Sequence, residues 1–241
     1  MSDVLLLHPG VGDSRSWAPQ VEALAAAGHR PIAPDLPGYG TEPLRPGRLS
    51  YVEHVAALLE RPAAVVGCSL GGRIALELAV ERPELVERLV LVNPALPGWE
   101  WSEGVRAASD AEDVALDRGD LDAAAEANMI WLGPGASDDV RDLVRAMVVR
   151  NFELVLPVHE QVEGVPVEPP VTERLGEIAV PALIVVGEED VPDSARIADV
   201  LEAGLPDTRR ATIAGAAHVP SLEQPDALNQ LLLGFLDDGV G

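Results

Sequence analysis

The sequence predicts an α/β fold: a mostly parallel sheet of about six strands, flanked by helices and interrupted by a helical insertion. Three observations predict it. Short β-branched apolar runs alternate with helix-patterned segments in both end portions of the chain, the pattern of a parallel sheet covered on both faces. One of these runs, Ala64-Val65-Val66, leads through Gly67-Cys68-Ser69-Leu70-Gly71 directly into a helix-forming segment. Residues 96–174 between the two portions carry helical segments and no strand-like run of comparable strength.

In chain order, Val4–Leu7 reads as a buried strand. A helix over 17–27 follows, with Ser14 or Ser16 as its N-cap and Gly28 as its stop. Arg30–Pro34 is a short strand that ends in a turn-rich loop, Asp35-Leu36-Pro37-Gly38-Tyr39-Gly40. Ser50–Leu59 is a helix, Ala64–Gly67 a strand, Leu70–Val80 a helix, and Leu89–Val92 a strand stopped by Asn93-Pro94. The insertion is expected to hold helices near 103–118, 120–132 and 137–155, with the Pro-rich segment 162–170 as the loop leading out of it. Strand character returns at 181–187, then a helix near 193–203, a strand at 210–213 and a final helix over 224–236. The predicted core is 1–95 with 175–241, and the insertion is 96–174.

Composition narrows the function. The chain has 241 residues, of which 47% are hydrophobic, enough for a sizeable core. A net charge of -23 argues against nucleic acid and anionic membrane partners, which need clustered cations. All 17 basic residues are arginine, so lysine chemistry is excluded. Cys68 stands alone, so no intrachain disulfide forms, as in a reducing cytoplasm. The apolar run at the N-terminus is too short for a signal peptide or a membrane span, and a cytoplasmic location is expected.

The G-x-S-x-G string between a strand and a helix is a nucleophile elbow, in which the serine hydroxyl stands exposed above the sheet. Ser69 needs a base to remove its proton. Of five histidines, His218 lies in a small-residue loop, Ala214-Gly215-Ala216-Ala217-His218, after the last strand. His29, His54 and His159 read as turn, surface or packing residues, and His8 as a structural neighbour of the site. An imidazolium requires a carboxylate to orient it. Asp190 follows the strand ending at Gly187, where open α/β sheets place their sites, with Glu188 and Glu189 as competitors. The order Ser69, Asp190, His218 is serine, acid, histidine. Oxyanion donors are expected from the Leu70 N–H and from the loop after the first strand, Gly10 first and Val11 as the alternative; Pro9 has no N–H.

With LHPGVGDSRSW, DLPGYG, GCSLGG, RLVLVNPA, VPALIVVGEED and GAAHVPSLEQP in this order, the chain resembles the α/β-hydrolase superfamily over almost its whole length. Within it the chain is most similar to small bacterial esterase- and lactonase-type members, including the 3-oxoadipate enol-lactonase group. The resemblance implies Ser69 as nucleophile, His218 as base, Asp190 as acid, and 96–174 as a helical lid. Serine at position 69 separates the chain from the dehalogenases and epoxide hydrolases, which place Asp there. Asn93 shows that the acid has not moved to that earlier strand end. The first strand begins almost at Met1, without the hairpin that usually precedes it, so either the sheet has about six strands or the true start lies upstream.

The lid is expected to set specificity. Trp99, Trp101, Met129, Trp131, Met147 and Phe152 are candidates for an apolar wall around a substrate, or for packing the lid onto the core. Arg141 and Arg145, among Asp138, Asp139 and Asp142, read as a solvated helix face. The expected activity is serine-dependent cleavage of a small carboxylic ester or lactone, without metal or organic cofactor. Hydrolysis of a carbon–carbon or thioester bond by the same triad is one alternative. A receptor-like, ligand-binding protein on the same fold is another.

Overall fold

The computed structural model describes residues 2–237. The main sheet contains β1 (Asp3–Leu7), β2 (Arg30–Ile32), β4 (Ala63–Cys68), β5 (Val86–Val92), β7 (Ala182–Gly187) and β8 (Thr208–Ile213). Their spatial order is β2-β1-β4-β5-β7-β8, and every pairing is parallel. The expected six-stranded parallel sheet is therefore the one that forms, and β4, carrying the elbow, lies inside it between β1 and β5.

Alternation along the strands sorts the core into two layers, because successive side chains point to opposite faces. Leu5, Leu7, Val65, Leu89, Leu91, Ile184 and Val186 pack with α2 (Tyr51–Ala56), α3 (Leu70–Glu81) and α7 (Pro192–Gly204). Val4, Leu6, Val66, Val90, Val92, Leu183 and Val185 pack with α1 (Ala18–Ala26) and α9 (Pro225–Asp237). Each such residue contributes about 1.5–3 kcal/mol on leaving water. Burial on both faces explains why these strands read as continuous apolar runs. The edges are less apolar: β2 contains Pro31, and β8 carries Arg209 and Arg210.

Residues 96–174 contain α4 (Glu103–Asp117), α5 (Leu121–Ala127) and α6 (Asp138–Val155). Val144, Met147 and Val148 of α6 build a third cluster with Ala125 and Leu132. That cluster also takes in Val11 and Val219, from the loops that flank the elbow, so the insertion rests directly over the elbow's surroundings.

The structure corrects several expectations. The segment 162–170 is not wholly loop: β6 (Val162–Gly164) pairs in parallel with β3 (Gly47–Leu49) as a small second sheet. Three-residue strands are too short to show a period. Neither Ser14 nor Ser16 caps α1; Asp13 accepts from Arg15 N–H and caps a single 3-10 turn, Ser14–Trp17, which runs into α1. The helix expected over 120–132 stops at Ala127 and tightens into a 3-10 turn, Asn128–Trp131. The final helix forms where it was expected, as α9, and a short further helix, α8 (Pro220–Glu223), precedes it.

Candidate active site

Ser69 joins β4 to α3 with φ 51° and ψ -112°, a conformation sparsely populated by residues other than glycine. The surrounding backbone holds it there. Ser69 N–H donates to Val92 O at 3.0 Å, and Ser69 O accepts from Arg73 N–H and Ala95 N–H, each at 3.0 Å. The flanking glycines are required by contact: a Cβ on Gly67 would lie 2.2 Å from Gly71 O, and one on Gly71 would lie 2.1 Å from Leu7 O. The turn therefore stores strain that its neighbours enforce, and it presents Ser69 at the N-terminal, positive end of α3.

His218 lies in the loop between β8 and α8 and is 3% exposed. Its Nδ1 lies 2.7 Å from Asp190 Oδ2. The Asp190 carboxylate is buried and also accepts from Ser194 Oγ–H at 2.5 Å and Val191 N–H at 2.8 Å. Three fixed donors thus hold the carboxylate, and the resulting Nδ1–H tautomer leaves His218 Nε2 as the acceptor. Glu188 and Glu189, the sequence competitors, are exposed. Of the other histidines, His29, His54 and His159 stand elsewhere, on the α1–β2 turn, on α2 and in the exposed segment after α6.

Two residues that sequence reasoning undervalued position the histidine loop. Asn93, at the end of β5 with φ 41°, donates from Nδ2 to Ala217 O at 2.8 Å and accepts at Oδ1 from Gly187 N–H at 3.0 Å. It ties the histidine loop to the end of the strand that precedes Asp190. Glu223 accepts from the N–H groups of Gly133, Ala217 and Val219 at 2.7, 3.1 and 3.0 Å. It joins the same loop to the insertion, and burial raises its pKa above the ordinary carboxylate range. His8 is fully buried. Its Nδ1 contacts Pro9 O at 2.9 Å and its Nε2 accepts from Leu36 N–H at 3.0 Å, while burial lowers its pKa and keeps it neutral.

Ser69 and His218 open on one cavity of about 370 Å³, together with Gly10 and Val11. An added Cβ on Gly10 would lie 3.9 Å from Leu70 Cβ, so the two expected oxyanion donors are neighbours. Of the six proposed wall residues, Trp131 and Phe152 border the cavity. The Trp131 ring lies 4.4 Å from the His218 ring, and its carbonyl accepts from His218 N–H at 3.2 Å. The other four do not border it. Trp99 donates to Asp193 Oδ1 at 3.1 Å, Trp101 packs edge-on against Trp131, and Met129 and Met147 pack into the insertion's cluster. Val148 and Val155 complete the apolar wall with Phe152, and Tyr39, Ser109, Glu112, Asn128 and Asn151 supply the polar one. Spacing along the sequence does not reveal this, because α4, α5 and α6 meet only in the folded chain. Cys68, beside the elbow, is buried in the second core layer, where its thiol donates to the His218 backbone carbonyl at 3.3 Å and burial raises its pKa well above normal.

Among the described residues no cluster of His, Cys, Asp and Glu is arranged to hold a metal ion, and no helix is long and apolar enough to cross a membrane. The model of the alpha/beta hydrolase family matches residues 4–231. A protein of Azorhizobium caulinodans named "Putative carbamate hydrolase RutD" is 31% identical over 96% of this chain and 90% of its own. The carboxylesterase YbfK of Bacillus subtilis is 28% identical over 98% of this chain and 81% of its own. A thermophilic esterase from Thermogutta terrifontis superposes with a TM-score of 0.79 at 23% identity, over 98% of this chain and 89% of that one.

Proposed function

The chain belongs to the alpha/beta hydrolase family, and we propose that it is a serine hydrolase that cleaves a small carboxylic ester or lactone through an acyl-enzyme. The observation that carries this reading is the convergence of three separate loops. A strained Ser69 faces the same cavity as His218, whose Nδ1 is held 2.7 Å from a buried Asp190 carboxylate. The named relatives, hydrolases of carbamate and ester bonds, support a hydrolytic activity of this class.

In the proposed reaction the Ser69 hydroxyl attacks the carbonyl carbon as its proton passes to His218 Nε2. The developing alkoxide receives hydrogen bonds from the N–H groups of Leu70 and Gly10, with Val11 as the alternative to Gly10. Each such donor is worth roughly 3–4 kcal/mol in the transition state. The His218 imidazolium, stabilised by Asp190, then protonates the leaving alkoxide. Water gives a proton to His218, attacks the acyl carbon, and releases the carboxylic acid and free Ser69. Residues 96–174 act as the lid in this reading, with Trp131 covering one face of the His218 ring. The substrate is a small molecule, and the mechanism uses no metal or cofactor.

The test is hydrolysis of p-nitrophenyl acetate, butyrate and octanoate by the wild type and by Ser69→Ala. Turnover that vanishes in a folded Ser69→Ala supports the reading; turnover that survives in pure variant protein overturns it.

A further inference from the structure

The cavity that holds Ser69 also contains a carboxylate for which the proposed mechanism has no use. Glu112 of α4 is half-buried on the cavity wall. Its Oε2 accepts from Asn128 Nδ2, which also donates to Ala124 O at 3.0 Å. With both N–H groups of Asn128 engaged, the amide offers a ligand only its carbonyl oxygen. Asn151, on the same wall, has its Nδ2 on Gly12 O at 3.1 Å and its Oδ1 on Gly40 N–H at 3.3 Å. Among the described residues, the cavity lining holds this one carboxylate and no arginine. Three arginines of α6 are committed elsewhere: Arg141 to Gly133 O at 2.7 Å, Arg145 to Glu126, and Arg150 to Glu153 at 3.1 Å. Ser109 and Tyr39 add hydroxyls that can donate or accept, so the one formal charge on this wall is negative and its amides offer acceptors.

We propose that Glu112 and Asn128 form a specificity subsite that takes a hydrogen-bond-donating end of the substrate, an ammonium above all and then a hydroxyl, and rejects a carboxylate. The inference rests on the serine-hydrolase reading and supplies its substrate class. A half-buried carboxylate whose one side-chain donor is a neutral amide is poorly compensated, and a ligand ammonium offsets that cost where a methyl group does not. A ligand carboxylate is repelled directly. Burial already raises the Glu112 pKa, which is the electrostatic signature of a carboxylate short of positive partners. An enol-lactone bearing a free carboxylate, the kind of substrate that the resemblance to 3-oxoadipate enol-lactonases implies, fits this wall poorly.

The experiment uses matched substrates of one chain length. The acyl series is p-nitrophenyl 6-ammoniohexanoate, hexanoate and hydrogen adipate; the alcohol series is the acetates of 6-aminohexanol, hexanol and 6-hydroxyhexanoate. In at least one series the wild type should favour the ammonium over the carboxylate by about tenfold or more in kcat/KM. Glu112→Gln should bring that ratio to within about threefold of unity. The variant removes one of 40 acidic residues, so the overall field of the protein hardly changes and cannot mimic the effect. Equal wild-type rates in both series, or a preference that survives in Glu112→Gln, overturns the proposal. Binding of the corresponding N-methylamides to Ser69→Ala, with and without Glu112→Gln, reads the subsite without chemistry. A Glu112-dependent preference there, without wild-type turnover of any ester, retains the subsite and defeats the hydrolase reading. No preference in binding defeats the subsite alone.

Discussion

Asp190→Asn isolates the part of the site that is most tightly specified. The wild-type carboxylate accepts from His218 Nδ1 at 2.7 Å, Ser194 Oγ at 2.5 Å and Val191 N at 2.8 Å. A carboxamide matches the shape, and its oxygen retains the bond from Val191. Its NH2 group then faces His218 Nδ1 and donates to it, which fixes the proton on Nε2. That tautomer cannot accept a proton from Ser69. Recovering the working tautomer sacrifices a charge-assisted hydrogen bond, about 1.5–3 kcal/mol. The imidazolium formed during reaction also loses a Coulombic partner worth roughly 3–4 kcal/mol near a partly screened site. The sum, roughly 4.5–7 kcal/mol, corresponds to a fall of about 10³–10⁵ in kcat. KM should change by less than about threefold, and the fold should lose no more than about 2 kcal/mol. Steady-state kinetics on p-nitrophenyl butyrate, with thermal unfolding alongside, measures each quantity. Glu189→Gln is the control and should remain within about threefold of wild type, since Glu189 is exposed. An Asp190→Asn variant within tenfold of wild type, or a collapse in Glu189→Gln, refutes the reasoning.

Four further outcomes are expected. Gly71→Ala forces a Cβ to 2.1 Å from Leu7 O, so the elbow and β1 must separate; a loss of 3 kcal/mol or more, or failure to fold, is expected in denaturant unfolding. Gly104→Ala in α4 meets nothing within 4 Å and should stabilise by about 0.4–1 kcal/mol. The Cys68 thiol, fully buried and donating to His218 O at 3.3 Å, should resist 5,5′-dithiobis(2-nitrobenzoate) until the protein unfolds, and Cys68→Ala should keep its activity; rapid native labelling contradicts this. Burial lowers the folded-state pKa of His8 below its ordinary 6.5, so the unfolded chain binds more protons and stability is lost as pH falls from about 6.5 towards the folded value. His8→Gln should lower the melting temperature at pH 7.5 yet flatten its decline between pH 6.5 and 5; parallel curves for variant and wild type would count against a neutral His8.

The sheet and the elbow were legible in the sequence because their signals are local. Val65-Val66 and Leu89–Val92 are buried on both faces and so read as unbroken apolar runs, and Gly67 and Gly71 mark contacts too close for any Cβ. Asp190 was separable from Glu188 and Glu189 only by its place in the loop, and in the fold its carboxylate is the buried one. Apart from Trp131 and Phe152, the cavity wall was not legible. Tyr39, Glu112, Asn128 and Asn151 lie far apart along the chain and meet because α4, α5 and α6 fold over the elbow. Tryptophan content drew attention to Trp99 and Trp101, yet their burial is answered by Asp193 and by the Trp131 ring. The pairing of Gly47–Leu49 with Val162–Gly164 is non-local and too short to leave a pattern.

The most direct test of the central claim is covalent. Wild type, Ser69→Ala and heat-unfolded wild type are treated with a fluorophosphonate, and the adduct is located by intact mass and peptide mapping. The account predicts one adduct per native chain, on Ser69, with none in Ser69→Ala and none after unfolding, because the reaction requires His218 and the oxyanion donors in place. An adduct on another residue of the native wild type, or equal labelling of Ser69→Ala, would contradict it.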